Sequence, residues 1–387
     1  MRVLVTCSGA ASHFTPLAPF VAALARRDDE MLVIVPLALA AMVEATGHPY
    51  RIAADAPARE KEAIWERVPF VSPDEASVLV NREIFGRLNT AAMLPTLEDA
   101  CSRWRPDFVL REPCEYAAAI AADRRGIRHA QVAISLAELE ASCLSLVSPV
   151  LEQYGIGVVE RIRSAPYLTR FPASLDPSPF NVTQRFRETT DRSGGRHEPL
   201  PDWWEGDKAP LIYVTFGTVT GGLPIAPAIY RAALEAVGGL PARVLLTIGR
   251  TADKALLGPI PANVHVEAWV PQDDVLAEAA VVVCHGGSGT TFGALAAGVP
   301  LVIVPMFADQ PVNARLVSTA GAGLVVTSTD PRSMESISKV LQGEVPRLRA
   351  AVETVLADES YHQAAHRIEE EMHSLPDIED VLGTFDT

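Results

Sequence analysis

The stretch 281–300, VVVCHGGSGTTFGALAAGVP, runs from an apolar segment into His285, Gly286, Gly287, Ser288, Gly289, Thr290 and Thr291, then into small residues suited to a helix. A strand that turns through glycines into a helix brings unpaired backbone N–H groups and the positive end of a helix dipole to one point. That arrangement suits a phosphate, because glycines let the anion approach the backbone and the hydroxyls of Ser288, Thr290 and Thr291 add donors. A tight turn with an N-cap accounts for the same residues without a ligand. The second residue with chemical promise is His13, in ASHFTP near the N-terminus. It falls in the loop after the first apolar run, with Pro16 opening the next helix, where an imidazole can take a proton from a hydroxyl.

Three other motifs compete for the 281–300 stretch. A nucleophile elbow needs Gly at 290 in the frame Gly286-x-Ser288, and Thr290 stands there. A Walker loop needs Gly-Lys-Ser/Thr, which the chain lacks. A dinucleotide fingerprint comes nearer, with Gly287, Gly289 and Gly293 after a strand. Its third glycine is one place late, however, and the acidic residue at the right distance, Asp309, lies beyond the strand that should carry it.

Short apolar segments alternating with amphipathic ones supply the scaffold, which is the pattern of parallel sheets covered on both faces. Strands are expected at 2–6, 31–36 and in DFVLRE, and a second series at LIYVTFGT, 242–249, 263–269, 281–284 and 301–305. The polar stretch between the two series places a linker at 191–209, between domains 1–190 and 210–375. In a chain of 387 residues, two doubly wound domains are expected, with ligands at the carboxyl ends of their strands. A net charge of −15 argues against a nucleic-acid partner, which needs a basic face. The five cysteines, at 7, 101, 114, 143 and 284, show no paired or metal-like spacing and read as reduced thiols. The N-terminal apolar run breaks at Ser8-Gly9, too early for a signal peptide, and no apolar stretch is long enough to span a bilayer. The reading is a cytoplasmic protein with no membrane partner.

The chain resembles the GT-B glycosyltransferases of the plant secondary-product and bacterial antibiotic (macrolide) type. The resemblance rests on GAASHFTPLAPFVAALA, on LIYVTFGTV, and on 268–314, which carries W-x-P-Q, H-x-G-x-x-T/S, G-V-P and D-Q elements in order. It implies two facing Rossmann-like domains, an N-terminal one for the acceptor and a C-terminal one for the nucleotide sugar. The last helix, about 376–387, would pack back on the first domain. By resemblance Trp269, Val270 and Gln272 receive the nucleobase, and His285, Gly287, Ser288, Gly289 and Thr290 hold the diphosphate. Thr218 adds a phosphate contact, and Asp309 and Gln310 meet the sugar hydroxyls. His13 would be the general base, oriented by an acidic residue after a later strand. Glu112 stands there where plant relatives have aspartate, with Glu115 further past the strand.

These expectations describe an inverting transferase with an apolar small-molecule acceptor, no cofactor and no metal, since the chain has no D-x-D pair to bridge one. Trp65, Phe70, Phe85, Met93 and Leu94 are candidates to line the acceptor pocket. Gly293 stands where UDP-using relatives carry a ribose-binding glutamate, which points to a dTDP-sugar; close helix packing explains the same glycine. Two alternatives remain, a nucleotide-sugar epimerase on this architecture and a non-catalytic nucleotide-sugar-binding auxiliary protein. A homodimer is compatible with each.

Overall fold

The computed structural model describes residues 1–9, 11–188, 199–223, 225–306, 308–326 and 334–386. The chain divides into two compact units, Met1–Thr189 together with Ser374–Thr387, and Thr190–His373.

The first unit is built on seven parallel strands: β1 (Arg2–Thr6), β2 (Glu30–Pro36), β3 (Tyr50–Ala53), β4 (Phe108–Arg111), β5 (Arg128–Val132), β6 (Tyr167–Thr169) and β7 (Thr183–Arg185). Their spatial order is β3-β2-β1-β4-β5-β6-β7. Val3, Leu4 and Val5 are all fully buried. This is why the strand reads as an unbroken apolar run: helices cover both faces of a parallel sheet. The C-terminal helix Ile378–Gly383 belongs to this unit. Ile378, Val381 and Leu382 join the core around Phe20 and Phe108, and Phe385 stacks on Phe108 with ring centroids 4.5 Å apart.

The second unit carries β8 (Leu211–Thr215), β9 (Arg243–Thr247), β10 (Val264–Glu267), β11 (Ala279–Cys284), β12 (Leu301–Ile303) and β13 (Gly323–Val325), in the order β10-β9-β8-β11-β12-β13 and all parallel. β10 and β12 stop short of the expected 269 and 305. Pro271 and Pro305 follow them, and proline has no N–H to continue a ladder. Part of the expected linker is docked on this unit. Trp203 stacks on His265 at 4.3 Å, and the Trp204 indole N–H donates to the Asn263 carbonyl at 3.2 Å. The two indoles thereby tie this segment to β10 and to the residue just before it. Residues 191–198 of that stretch lie outside the described residues.

All five cysteines are free thiols. Among the described residues no helix is long and apolar enough to cross a membrane.

Candidate functional site

In the first unit the strand order reverses direction between β1 and β4, so the loops after these strands open a crevice at their carboxyl ends. The loop after β1 passes through Gly9, at φ 46°, into the short helix Ala11–Phe14 that carries His13. The loop after β4 begins with Glu112, whose side chain is wholly buried. Glu112 Oε1 accepts the Ser8 N–H at 3.0 Å and the Ser8 hydroxyl at 2.5 Å, while Oε2 accepts the Cys114 N–H at 2.5 Å. His13 Nδ1 lies 3.2 Å from Glu112 Oε1, at ion-pair distance but outside aligned hydrogen-bond geometry. Burial disfavours a charged Glu112, but His13 and the two Ser8 donors outweigh it and hold the carboxyl below its ordinary range. The pair can therefore take up a proton at the imidazole while the carboxylate steadies the resulting charge.

Glu115 points elsewhere. It is fully buried, accepts the Ala118 N–H at the start of the helix Ala117–Asp123, and is pushed up to about 8 by burial against the pull of Arg111. Arg111, also fully buried, donates to the carbonyls of Glu112, Pro113 and Glu115 and so ties down the loop that presents Glu112. Sequence reading overlooked this arginine, because an Arg at a strand end normally reads as solvent-facing. Of the five apolar candidates, Phe85 stacks on His13 at 5.2 Å. Met93 and Leu94 are buried, and Trp65 and Phe70 are 49% and 88% exposed. Among the described residues, the ligand atoms of His13, Glu112 and Cys114 lie within 4.8 Å of one another, close enough to share an ion. Both carboxylate oxygens of Glu112 are already engaged, and burial followed by Glu112 pushes the Cys114 thiol well up.

The second unit repeats the reversal between β8 and β11. Gly217, at φ 75°, follows β8 and starts the short helix that includes Thr218, whose side chain lies outside the described residues. His285 follows β11, and its ring sits in a slot between two glycine backbones. A Cβ at Gly217 would come within 2.9 Å of the ring, and one at Gly287 within 2.5 Å of Nε2. Burial pushes His285 down to about 4, with Asp309 opposing, so the imidazole is neutral at pH 7 and offers one N–H. Its Nδ1 is buried without a hydrogen-bond partner. Gly286, at φ 88°, makes the turn against Ile303. The helix Ser288–Ala296 then begins, with Ser288 and Thr290 buried and Thr291 fully so. A Cβ at Gly289 would meet nothing within 4 Å.

Asp309 and Gln310 are committed within this loop. Asp309 Oδ2 accepts the Ser288 N–H at 3.1 Å, the Ser288 hydroxyl at 2.6 Å and the Asn313 amide at 3.0 Å. Gln310 Oε1 accepts the Met306 N–H at 2.8 Å. Asn313, which also donates to the Gly286 carbonyl at 2.8 Å, was not singled out from sequence. Its spacing of four from Asp309 on one helix was the available signal. Trp269 is 46% exposed, with the Arg250 guanidinium 4.7 Å over its ring; Val270 is half-buried beside it. Gln272 reaches over the first turn of the Ser288–Ala296 helix, its amide 3.5 Å from the Gly289 carbonyl and positioned 2.7 Å from where a Cβ on Gly293 would stand.

Residues 10–163 match the family model of the erythromycin biosynthesis protein CIII-like N-terminal domain, and residues 231–386 match that of the C-terminal domain. The chain is 30% identical to an L-demethylnoviosyl transferase of Streptomyces niveus, covering 93% of this chain and 94% of that protein. It is 29% identical to the elloramycin glycosyltransferase of Streptomyces olivaceus, over 100% of this chain and 97% of the relative. Among solved structures, the spinosyn rhamnosyltransferase complexed with thymidine diphosphate superposes with a TM-score of 0.80 at 20% identity, over 100% of both chains. A Streptomyces glycosyltransferase, also complexed with thymidine diphosphate, does so with a TM-score of 0.74 at 25% identity, over 100% of this chain and 99% of the other.

Proposed function

Because this chain belongs to the erythromycin CIII-like family of antibiotic-type glycosyltransferases with the GT-B fold, we propose that it transfers a deoxysugar from a dTDP-sugar to a hydroxyl of an apolar natural product, with inversion. The observation that carries this reading is the 3.2 Å approach of His13 Nδ1 to Glu112 Oε1 in the β1/β4 crevice. The acceptor hydroxyl attacks the anomeric carbon as its proton passes to His13 Nε2. The new C–O bond forms while the anomeric bond to the diphosphate oxygen breaks and dTDP departs with that electron pair. Glu112 stabilises the imidazolium, as a buried carboxylate beside a histidine does in other acyl- and group-transfer sites.

The leaving diphosphate has the neutral His285 N–H and the start of the Ser288–Ala296 helix to receive it, a fixed electrostatic cradle. Charge stabilisation of this kind needs no metal, so activity is expected to survive EDTA. The dTDP assignment is supported by Gly293, which offers no side-chain acceptor to a ribose 2′-hydroxyl, and by the relatives solved with thymidine diphosphate. A hydrogen bond to a charged partner missing at that hydroxyl costs a ribonucleotide about 1.5–3 kcal/mol. Relatives named for noviosyl and rhamnosyl transfer support a deoxysugar.

Calorimetry with dTDP and UDP tests the donor: dTDP should bind at least tenfold more tightly, and equal or UDP-favouring affinities would refute the assignment. His13→Ala should cut turnover by roughly 10² to 10⁴-fold with dTDP affinity unchanged. Turnover at the wild-type rate in that variant would remove the base.

A further inference from the structure

Arg250 follows β9 by three residues and Trp269 follows β10 by two, and these strands pair with Thr247 opposite Glu267, so the two loops leave the sheet side by side. The Arg250 guanidinium carbon lies 4.7 Å over the Trp269 ring. Arg250 is exposed, and no carboxylate pairs with it among the described residues, although the chain carries a net charge of −15. Among described residues one to five positions past a strand's carboxyl end in this sheet, it is the one Lys or Arg. Laying a long, solvated side chain flat on an indole costs rotamer freedom. In return it covers one ring face and restrains the ring by a cation–π contact. With Arg250 in place, Trp269 is still 46% exposed, which leaves indole surface free for another flat group.

We infer that Arg250 is a positioning residue for the donor's nucleobase: it steadies Trp269 from one face so that the base stacks on the other. This rests on the assignment of Trp269 to the base. A platform already ordered before the ligand arrives binds more tightly than one that must be ordered by it. Because Arg250 acts through the indole, its contribution is independent of the number of phosphates on the ligand and depends on Trp269 being present.

The experiment measures dTMP and dTDP affinities by calorimetry in the full-length protein for the wild type, Arg250→Ala, Arg250→Lys, Trp269→Ala and the Arg250/Trp269 double alanine variant. Arg250→Ala should weaken both nucleotides by the same factor, about 3- to 5-fold, the scale of an exposed cation–π contact. Arg250→Lys should recover part of that loss, and the double variant should bind no more weakly than Trp269→Ala alone. A loss larger for dTDP than for dTMP would make Arg250 a phosphate ligand and overturn the inference, as would no loss, or a loss that persists without Trp269. If Trp269→Ala binds both nucleotides as tightly as the wild type, the base assignment itself fails and the inference falls with it. That outcome is distinguishable because it does not involve Arg250.

Discussion

Asp309 meets Ser288 through a single carboxylate oxygen that accepts both the backbone N–H, at 3.1 Å, and the hydroxyl, at 2.6 Å. A negative charge there suits the positive end of the Ser288–Ala296 helix, and it occupies donors that a diphosphate would also use. Ala308 just before it adopts φ 57°, a left-handed conformation that L side chains disfavour. The loop thus accepts a backbone cost and still presents the carboxylate to the helix start.

Replacing Asp309 by Asn keeps a hydrogen-bond acceptor for Ser288 and removes the charge. Affinity for free dTDP should rise about fivefold, the order of a charge at a helix terminus. By the family resemblance this carboxylate meets the sugar hydroxyls, so turnover of the dTDP-sugar should fall. Calorimetry and single-turnover rates separate the two effects; weaker dTDP binding would show that carboxylate and phosphate do not compete.

Gly289 is a glycine that the protein's own packing does not require, since a Cβ there would meet nothing within 4 Å. Alanine is the better helix former by about 1 kcal/mol. Gly289→Ala should therefore raise the denaturation midpoint while weakening dTDP binding, because the added methyl would stand where the proposed diphosphate site needs the bare backbone. A stabilised variant with unchanged affinity would place the diphosphate elsewhere.

Glu112→Gln retains the size of the side chain but sets an amide N–H₂ against one of its donors, Ser8 or Cys114. Turnover should drop by roughly 10²-fold or more, with dTDP affinity intact. The first unit should also lose about 1–3 kcal/mol for a buried donor left without an acceptor. Denaturant melts and steady-state rates check the two effects together, and unchanged turnover would dissociate Glu112 from the base.

His285 predicts a dependence of stability on acid. Its folded value, down to about 4 because of burial, lies below the roughly 6.5 of an unfolded histidine. The unfolded chain therefore binds the extra proton first. The stability from a neutral His285 is complete above about pH 6.5 and is lost as pH falls toward 4, by about 3 kcal/mol over that window. His285→Gln, which has nothing to titrate, should show a shallower acid slope than the wild type in melts between pH 4 and 7. Parallel slopes would mean that His285 is solvated in the folded state.

The sequence by itself determined the two parallel-sheet units and the positions of the loops that carry the candidate residues. Strands buried on both faces must be apolar throughout, so 2–6 and 281–284 are unmistakable in the chain, and Gly286 and Pro305 mark where strand gives way to loop. Short strands such as β6 and β7, three residues each, carry too few positions to show a period. Tertiary structure alone decided which loops meet. Ser8 and Glu112 are 104 residues apart in the chain, and Ser288 and Asp309 are 21 apart. Each pair is joined because the order of strands in a sheet, set by crossover connections, makes neighbours of residues that no local pattern links. The same cause hid the Arg250–Trp269 stack, and it left the neutrality of His285 to burial, a property of the packed surroundings that no single residue type encodes.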